Sequence, residues 1–400
     1  MSAAQVESLA DWAVSLEPSP SDDTLADRSL VDTAAVAFAA RNSEIVPFAN
    51  ALGRAGGLAA LSHFLDFDDL HIPSTAHIST VCVPATVVGD GDSKAFLAGA
   101  GVMARIGTAL GWTHYTRGWH ATCTAGAPAA AVSTAVANRL SPEETAHALV
   151  LALPSAGGFQ AVFGTHGKAL QVGFAVAAGV RAAELASLGA RTDLGSFGRW
   201  LDLLGGDIGQ LDIDGPTIPG GLAIKSFPCC YALQRPMQAV SLLTQQGVDV
   251  GHITAISVLT PRSALRPLIH DKPSSGLEAK FSLPYGIAAA LVDSPGIGFD
   301  TFTDAATRRQ DVETLRKLVQ VEITKDGSGL LDGETVVTLG LRSGDSNTVA
   351  LDLPPGAPGA PLSHDQLRRK VKICSPDFAD EIMALTWKTA GSTLRPLLEQ

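Results

Sequence analysis

Five short segments of this chain place ionisable side chains inside glycine-rich, otherwise apolar sequence. They are LDFDDLHIPSTAHIS (65–79), TRGWHATCTAG (116–126), FGTHGKALQVG (163–173), IKSFPCCYALQRP (224–236) and AKFSLPYGIAAALVD (279–293). A general acid or base needs such a setting, because burial and neighbouring charges tune its pKa. Taken singly, each of the histidines in these segments fits a structural role better than a catalytic one. Together, the five segments indicate an acid–base site.

Other catalytic motifs are missing from the sequence. We find no G-x-G-x-x-G after a strand, no G-x-x-x-x-G-K-[ST] loop, no H-E-x-x-H and no G-x-S-x-G elbow. The cysteines at 82, 123, 229, 230 and 374 lack iron–sulfur spacing. Asp66, Asp68 and Asp69 could hold a divalent ion, but no second carboxylate cluster follows. We therefore predict no metal and no organic cofactor.

Composition limits the class of protein. The 400 residues suffice for one large or two unequal domains, and 46% apolar against 17% charged residues indicates a well-formed core. A formal charge of −11 disfavours nucleic acid as a partner. An odd number of scattered cysteines fits reduced thiols and a cytoplasmic location. The N-terminal residues lack the features of a signal peptide, and the longest apolar stretch (148–164) contains Pro154, so we predict no membrane span.

The elements that carry these segments divide into two regions. Helical periodicity dominates residues 1–248, where Ser141-Pro142-Glu143-Glu144 is a capping box that predicts a helix start. Short alternating stretches at 252–260, 318–324, 334–341 and 347–352 predict strands. We therefore expect a mainly α large domain over 1–248 and a smaller α+β domain over 249–372. A C-terminal helical tail (373–400) is expected to pack back onto the first domain.

Taken together, the five segments resemble the MmgE/PrpD family, which includes 2-methylcitrate dehydratases, cis-aconitate decarboxylase and iminodisuccinate epimerase. Their order and spacing match that family across nearly the whole chain. LDFDD before His77 is similar to its Asp-rich segment, and GTHGKALQVG to its Thr-x-x-Lys-Pro-Leu-His segment. RGWHATCTAG, KSFPCCYA and AKFSLPYGIAAALVD resemble its remaining three segments.

The resemblance implies a site at the junction of the two domains, usually in a homodimer, acting on small di- or tricarboxylates without a cofactor. The site residues that it implies fall into two groups. The expected catalytic residues are His77, His120, Lys168 and Tyr285. The expected substrate-binding residues that it implies are Asp66 and Lys225. We add His166 and Cys230 as further substrate-binding candidates, and Arg117 and Arg235 because arginine pairs bidentately with carboxylates.

Several positions depart from the family pattern. Leu70 stands where relatives often have threonine, Ile78 and Ala169 replace prolines, and Gln171 replaces the second histidine of the Lys-Pro-Leu-His segment. Cys230 stands where the decarboxylase branch has a histidine. These changes disfavour that branch's substrate.

The chemistry shared by the family is loss of a proton from the carbon next to a carboxylate, with fixed cations and donors stabilising the carbanion. We expect first a hydro-lyase that dehydrates a citrate-like hydroxy acid. The alternatives are an epimerase or isomerase of a dicarboxylate, a decarboxylase of an aconitate-like acid, and a non-catalytic carboxylate-binding member.

Overall fold

The computed structural model describes residues 2–398, and the chain forms two compact units. The first unit comprises Met1–Ala161, His166–Ala223 and Ser363–Gln400; the second comprises Val162–Thr165 and Ile224–Leu362. All four strands lie in the second unit. The predicted combination of a mainly α large domain and a smaller α+β domain is confirmed.

The first unit begins with eleven helices, and sequence signals fix where several of them start. Ser19 and Ser141 each cap a helix whose first residue is proline, and each belongs to a capping box. The eleven helices are α1 (Ser2–Ser15), α2 (Pro20–Ala40), α3 (Val46–Asn50), α4 (Gly53–Phe64), α5 (Ser79–Val88), α6 (Ser93–Thr116), α7 (Ala121–Thr124), α8 (Gly126–Ala137), α9 (Pro142–Leu151), α10 (His166–Ser187) and α11 (Ser196–Leu203).

Glycine allows α4 and α10 to approach closely. A Cβ at Gly56 would lie 2.7 Å from the carbonyl oxygen of Gly173, and a Cβ at Gly173 would lie 2.6 Å from that of Gly56. Both distances are shorter than real contacts allow, so the crossing requires glycine on both helices. The close approach brings the end of α4 beside the start of α10.

The second unit is built around one mixed sheet. Its elements are α12 (Gln234–Gln245), β1 (Ile253–Thr260), α13 (Arg262–Leu265), α14 (Gly276–Ala279), α15 (Leu283–Asp293), α16 (Gln310–Arg316), β2 (Val319–Ile323), β3 (Thr335–Leu341) and β4 (Ser346–Leu351). The strand order is β2-β1-β3-β4, with β1 parallel to β2 and the other pairs antiparallel. The helices α13–α16 form the crossover that a parallel pair needs.

The boundary between the units differs from the expected one. The second unit begins at Ile224 rather than at 249, because α12 packs against α15, β3 and β4. Leu233, Met237 and Val240 share an apolar core with residues of the sheet. The segment Val162–Thr165 also belongs to this unit. Helical periodicity could not show which core α12 would join.

Three helices follow the sheet: α17 (His364–Cys374), α18 (Ala379–Met383) and α19 (Trp387–Leu394). All three contact α2, so the chain re-enters the first unit at Ser363, earlier than the predicted 373. Residues 399 and 400 of the predicted tail lie outside the described residues.

A buried ion pair attaches α17 to this unit. Lys370 Nζ lies 2.6 Å from Asp32 Oδ1 and donates a hydrogen bond to the carbonyl oxygen of Phe67 at 2.7 Å. Both charged side chains are almost completely buried.

By length and composition alone, α6 and α10 could each cross a membrane, although the most apolar stretch of α6 is 83% buried within the unit. A buried core helix meets the same criteria. The expectation of no membrane partner stays a prediction.

Replacing Lys370 with methionine should destabilise the first unit strongly. Removing one partner of a buried ion pair leaves the other charge buried, which costs about 3–5 kcal/mol. We expect the free energy of unfolding of K370M, measured by urea denaturation, to fall by about that amount. The exposed Lys372 on the same helix supplies the control, and K372M should change the free energy of unfolding by less than about 1 kcal/mol. Equal stabilities of the two variants would contradict this assignment.

Candidate active site

The first part of the site is the C-terminal end of α4 and the turn after it. His63 occupies the last turn of α4, and Asp66 and Asp68 follow within five residues. Asp66 adopts a left-handed conformation (φ 53°), which aspartate tolerates better than most residues. This conformation allows the carboxylates of Asp66 and Asp68, which flank Phe67, to face the C-terminal end of α4.

The loop from Asp68 to Ser79 returns the chain to the same place. His71 N–H donates to the carbonyl oxygen of Ala76 at 2.8 Å, which closes a short reversal. Asp69 accepts hydrogen bonds from the backbone N–H of Ser79 (3.1 Å) and from its hydroxyl. These contacts hold His77 at the entry to α5, where its backbone N–H donates to Thr122 Oγ1 at 3.0 Å.

The remaining two side chains come from helix starts. His120 immediately precedes α7 and is 1% exposed; Lys168 lies in the first turn of α10 and is 6% exposed. The close crossing of α4 and α10 places Lys168 beside His63.

At the centre of the cluster, the Asp68 carboxylate lies between two histidines. Asp68 Oδ2 is 2.7 Å from His63 Nδ1 and 3.1 Å from His77 Nδ1. The two rings lie 4.6 Å apart, nearly edge to face. A carboxylate at Nδ1 keeps a proton on that nitrogen, so each neutral ring would have its lone pair at Nε2.

Lys168 joins this arrangement from the other side. Its Nζ donates to His63 Nε2 at 2.7 Å and to Asp66 Oδ1 at 3.0 Å. These contacts agree with a neutral His63 protonated at Nδ1. The four predicted residues Asp66, His77, His120 and Lys168 thus lie in one buried cluster. The His120 ring stacks on that of His63 at 5.6 Å.

Burial and charge set the protonation states. Burial opposes ionisation of Asp68, but its interactions with His63 and His77, which include hydrogen bonds, outweigh burial and hold the pKa of Asp68 well below its usual value. Burial lowers the pKa of His63, which Asp68 only partly offsets. Burial, together with the charge of Lys168, lowers the pKa of His120 well below its usual value. The cluster therefore holds an ionised Asp68 beside two neutral imidazoles, His63 and His120.

One set of possible metal ligands occurs here among the described residues. The ligand atoms of His63, Asp68 and His77 all lie within 4.8 Å of one another. Two ligands bound tetrahedrally to zinc lie about 3.3 Å apart, whereas His63 and Asp68 are at hydrogen-bond distance. The ammonium of Lys168 also occupies the second nitrogen of His63. The geometry is that of a hydrogen-bonded network, and a metal would require these side chains to separate.

Two predicted residues of the first unit lie outside the cluster. His166 is partly exposed; its Nε2 is 3.1 Å from Glu44 Oε1, and its ring stacks on Phe64. Arg117 is exposed, and its guanidinium lies over Gly205. The contacts described for these two side chains do not include the clustered residues.

The other predicted residues belong to the second unit. Lys225 is completely buried. Tyr285 donates its hydroxyl hydrogen to the carbonyl oxygen of Thr301 at 2.5 Å, and burial raises the pKa of its phenol. Cys230 packs with Phe163 and Phe281. The roles of these three residues stay predictions.

Arg235, the further candidate, is buried in the same unit. Its guanidinium donates to four backbone carbonyl oxygens, of Leu330, Leu331, Gly333 and Asp352. These bonds make it a structural residue.

Sequence reasoning missed His63. It lies within the mostly apolar helix α4 and outside every segment used for the resemblance. A signal was present, because histidine five residues before an aspartate, across a helix end, can reach that carboxylate. Asp68 was considered only as a possible metal ligand.

Two family models match the chain: the MmgE/PrpD N-terminal domain over residues 49–195 and the MmgE/PrpD C-terminal domain over residues 227–389. The chain belongs to the MmgE/PrpD family. It is 24% identical over 383 residues to a cis-aconitate decarboxylase of Aspergillus terreus, covering 84% of this chain and 78% of that protein. The cis-aconitate decarboxylase of A. terreus strain NIH 2624 / FGSC A1156 matches equally.

The raised pKa of Asp69 should make the stability of the folded protein depend on pH. Burial is the main cause that raises the pKa of Asp69 from 3.8 to about 7, against the hydrogen bonds from Ser79. Between these values the folded state binds the extra proton, so Asp69 makes the protein less stable as pH rises from about 4 to about 7. Relative to D69N, the wild type should lose on the order of 4 kcal/mol over this window. Urea denaturation at several pH values measures it.

The matched control for Asp69 is D11N, which removes an exposed carboxyl. The difference between the wild type and D11N should stay nearly constant with pH. A similarly constant difference for D69N would show that Asp69 ionises normally.

Removing metal should not change activity. Since His63 and Asp68 already hydrogen-bond each other, exhaustive chelation should leave the activity of the protein at its original level. Loss of turnover that one divalent ion restores would instead identify these three residues as ligands.

Proposed function

We propose that this protein is a cofactor-independent lyase that removes a proton next to a carboxylate of a citrate-like acid. The observation that carries the proposal is the buried Asp68 carboxylate between His63 and His77, with Lys168 alongside. Such a network supplies a base, a cation and a shielded setting within one cluster.

His77 is the proposed base. Asp68 at Nδ1 orients the ring, stabilises the imidazolium that forms, and leaves the Nε2 lone pair to accept a proton. His63 has the same carboxylate partner, but Lys168 already donates to its Nε2. His63 is therefore a poor candidate for proton abstraction, and of these two histidines His77 is the one that the family resemblance selects as catalytic.

Lys168 supplies the fixed positive charge. As the proton leaves carbon, negative charge spreads onto the adjacent carboxylate, and a preorganised ammonium stabilises it most effectively where water is excluded. Asp66 and Asp68 carry more negative charge than Lys168 balances while the histidines are neutral. A bound polycarboxylate adds further negative charge. Its binding therefore favours protonation of a histidine, or requires a cation from another segment of the chain.

Dehydration of a hydroxy acid is the first proposed reaction. After His77 takes the proton, the β C–O bond breaks and the leaving hydroxide takes a proton back from the imidazolium to depart as water, which gives a double bond conjugated with a carboxylate. Two sequence departures support this choice over decarboxylation. Leu70 and Cys230 offer less polar contact than threonine and histidine, and a missing hydrogen-bond partner weakens binding of the substrate that needs it. Cys230 lies in an apolar cluster with Phe163 and Phe281.

Decarboxylation is the second candidate, because the curated relatives named above are cis-aconitate decarboxylases. It requires loss of CO₂ and protonation at carbon. Epimerisation of a dicarboxylate would use the same base, with the proton returned on the opposite face.

The test is turnover of a panel of purified polycarboxylates, including citrate, 2-methylcitrate and cis-aconitate, followed by mass spectrometry. Dehydration lowers the mass by one water and creates near-ultraviolet absorbance; decarboxylation lowers it by CO₂; epimerisation leaves it unchanged. In heavy water, deuterium should enter at the reacting carbon. Binding without turnover would identify a non-catalytic carboxylate-binding protein and contradict the proposal.

His77→Gln and Lys168→Met should each reduce kcat/KM by about 10²–10⁴-fold, the usual contribution of a positioned acid–base group. His252→Gln is the matched control, because His252 is exposed and pairs only with Asp249 among the contacts described. Rates of H77Q and K168M at the wild-type level would exclude this network as the active site.

A further inference from the structure

The clearest unused feature of the cluster is the side chain amide of Gln171. It lies one turn after Lys168 on α10, and its Nε2 is 2.7 Å from His120 Nδ1. Its Oε1 accepts a hydrogen bond from the backbone N–H of Phe159 at 2.9 Å. A backbone N–H can only donate, so the oxygen must face Phe159 and the NH₂ group must face His120.

The backbone that fixes this amide is itself constrained. The backbone N–H of Gln160 donates to the carbonyl of Gly118 at 2.8 Å, and Gly158 accepts from the N–H of His120 at 3.0 Å. Gly158 has φ +92°, and a Cβ there would lie 2.6 Å from Cys123 Cβ and 3.2 Å from Gln171 Oε1. Only glycine allows this approach, so the N–H of Phe159 is held against Gln171.

A second donor faces the same nitrogen of His120. Cys123 Sγ lies 3.4 Å from Nδ1, and burial raises the pKa of this thiol, which therefore keeps its hydrogen. Because the amide NH₂ of Gln171 can only donate, Nδ1 must carry the lone pair, and the thiol of Cys123 can donate to the same nitrogen. A neutral His120 then has its proton on Nε2.

We propose that Gln171 is a positioning residue that holds His120 as the neutral Nε2–H tautomer, which makes His120 a hydrogen-bond donor to the reacting carboxylate and not the general base. The role of His120 as a donor to the reacting carboxylate rests on the proposed function, whereas its tautomer does not. Protonation of Nδ1 would set an N–H against the amide NH₂, so Gln171 also opposes the imidazolium. The charged and titratable groups around His120 are Lys168, His63, His77, Asp66 and the thiol of Cys123.

This assignment gives His77 and His120 different roles. Asp68 directs the Nε2 lone pair of His77 to accept a proton, whereas Gln171 directs Nε2–H of His120 to donate. A neutral imidazole donor stabilises a developing oxyanion without transferring its proton in the ground state. Base and donor then have opposite polarity because their Nδ1 partners are a carboxylate and an amide.

The test is nuclear magnetic resonance of protein labelled with ¹⁵N at histidine, which reports which ring nitrogen carries hydrogen. His120 signals are assigned from their loss in H120Q. Two buried histidines serve as internal references. His71 donates from Nε2 to the carbonyl of Pro219, and His114 contacts the carbonyl of Leu204 through Nδ1. Burial lowers the pKa of each to about 4, so both are neutral at pH 7 with opposite tautomers.

Wild-type His120 should show the Nε2–H pattern of His71. The carboxylate that Q171E introduces can still accept from Phe159 N–H, but it can only accept from His120 when ionised, so His120 should change to the Nδ1–H pattern of His114. Q171M, similar in size but without a donor, should lose the strict preference. The signals of His71 and His114 should not change in either variant, which shows that the fold is intact.

Turnover adds a separate readout. Reversing the polarity of one oxyanion donor should lower kcat of Q171E by about 10²–10³-fold. Nδ1–H or imidazolium in wild-type His120, or an unchanged Nε2–H pattern in Q171E and Q171M, would overturn the role of Gln171. A reversed tautomer with an unchanged rate would overturn the donor role. Absence of turnover by the wild type would reject the proposed function while the spectra still decide the tautomer.

Discussion

The site depends on one buried charge, the carboxylate of Asp68. An ionised carboxylate without partners inside a protein is costly, so its position is acceptable only because His63 and His77 surround it. The requirement is mutual, because each ring needs an acceptor at Nδ1 to hold its orientation. The turn after α4, the reversal between His71 and Ala76, and the start of α5 all serve to bring these three side chains together.

Around that charge, the type of hydrogen-bond partner decides which ring nitrogen of each histidine carries a hydrogen. Carboxylates hold protons on the nitrogens they face, whereas donors hold lone pairs there. Lys168 acts on His63 in this way, and the amide of Gln171 acts on His120. Protonation in such a cluster is a property of the network, so changing one neighbour can alter a histidine that it does not replace.

Much of the fold and part of the site could be predicted from the sequence. A capping box located the start of α9, and alternation located all four strands. The resemblance selected Asp66, His77, His120 and Lys168, which the structure brings together. His63 could not be found this way, since its relevance comes from a side chain contact across a turn. Gln171 was interpreted as a lost histidine, because spacing does not show which way an amide faces. The resemblance also selected Tyr285, but it could not show that the phenol donates its hydrogen to the carbonyl oxygen of Thr301, sixteen residues away.

The contact of Lys370 with the Phe67 carbonyl has a consequence for biosynthesis. Phe67 lies between Asp66 and Asp68, and the residue that binds its backbone follows 303 positions later in the chain. Translation proceeds from the N-terminus, so a ribosome must synthesise the whole second unit before Lys370 emerges. Until then, Asp32 and the turn that carries both carboxylates lack this cation. A nascent chain can contain every residue of the histidine cluster and still lack the contacts of Lys370 with Asp32 and with the Phe67 carbonyl oxygen.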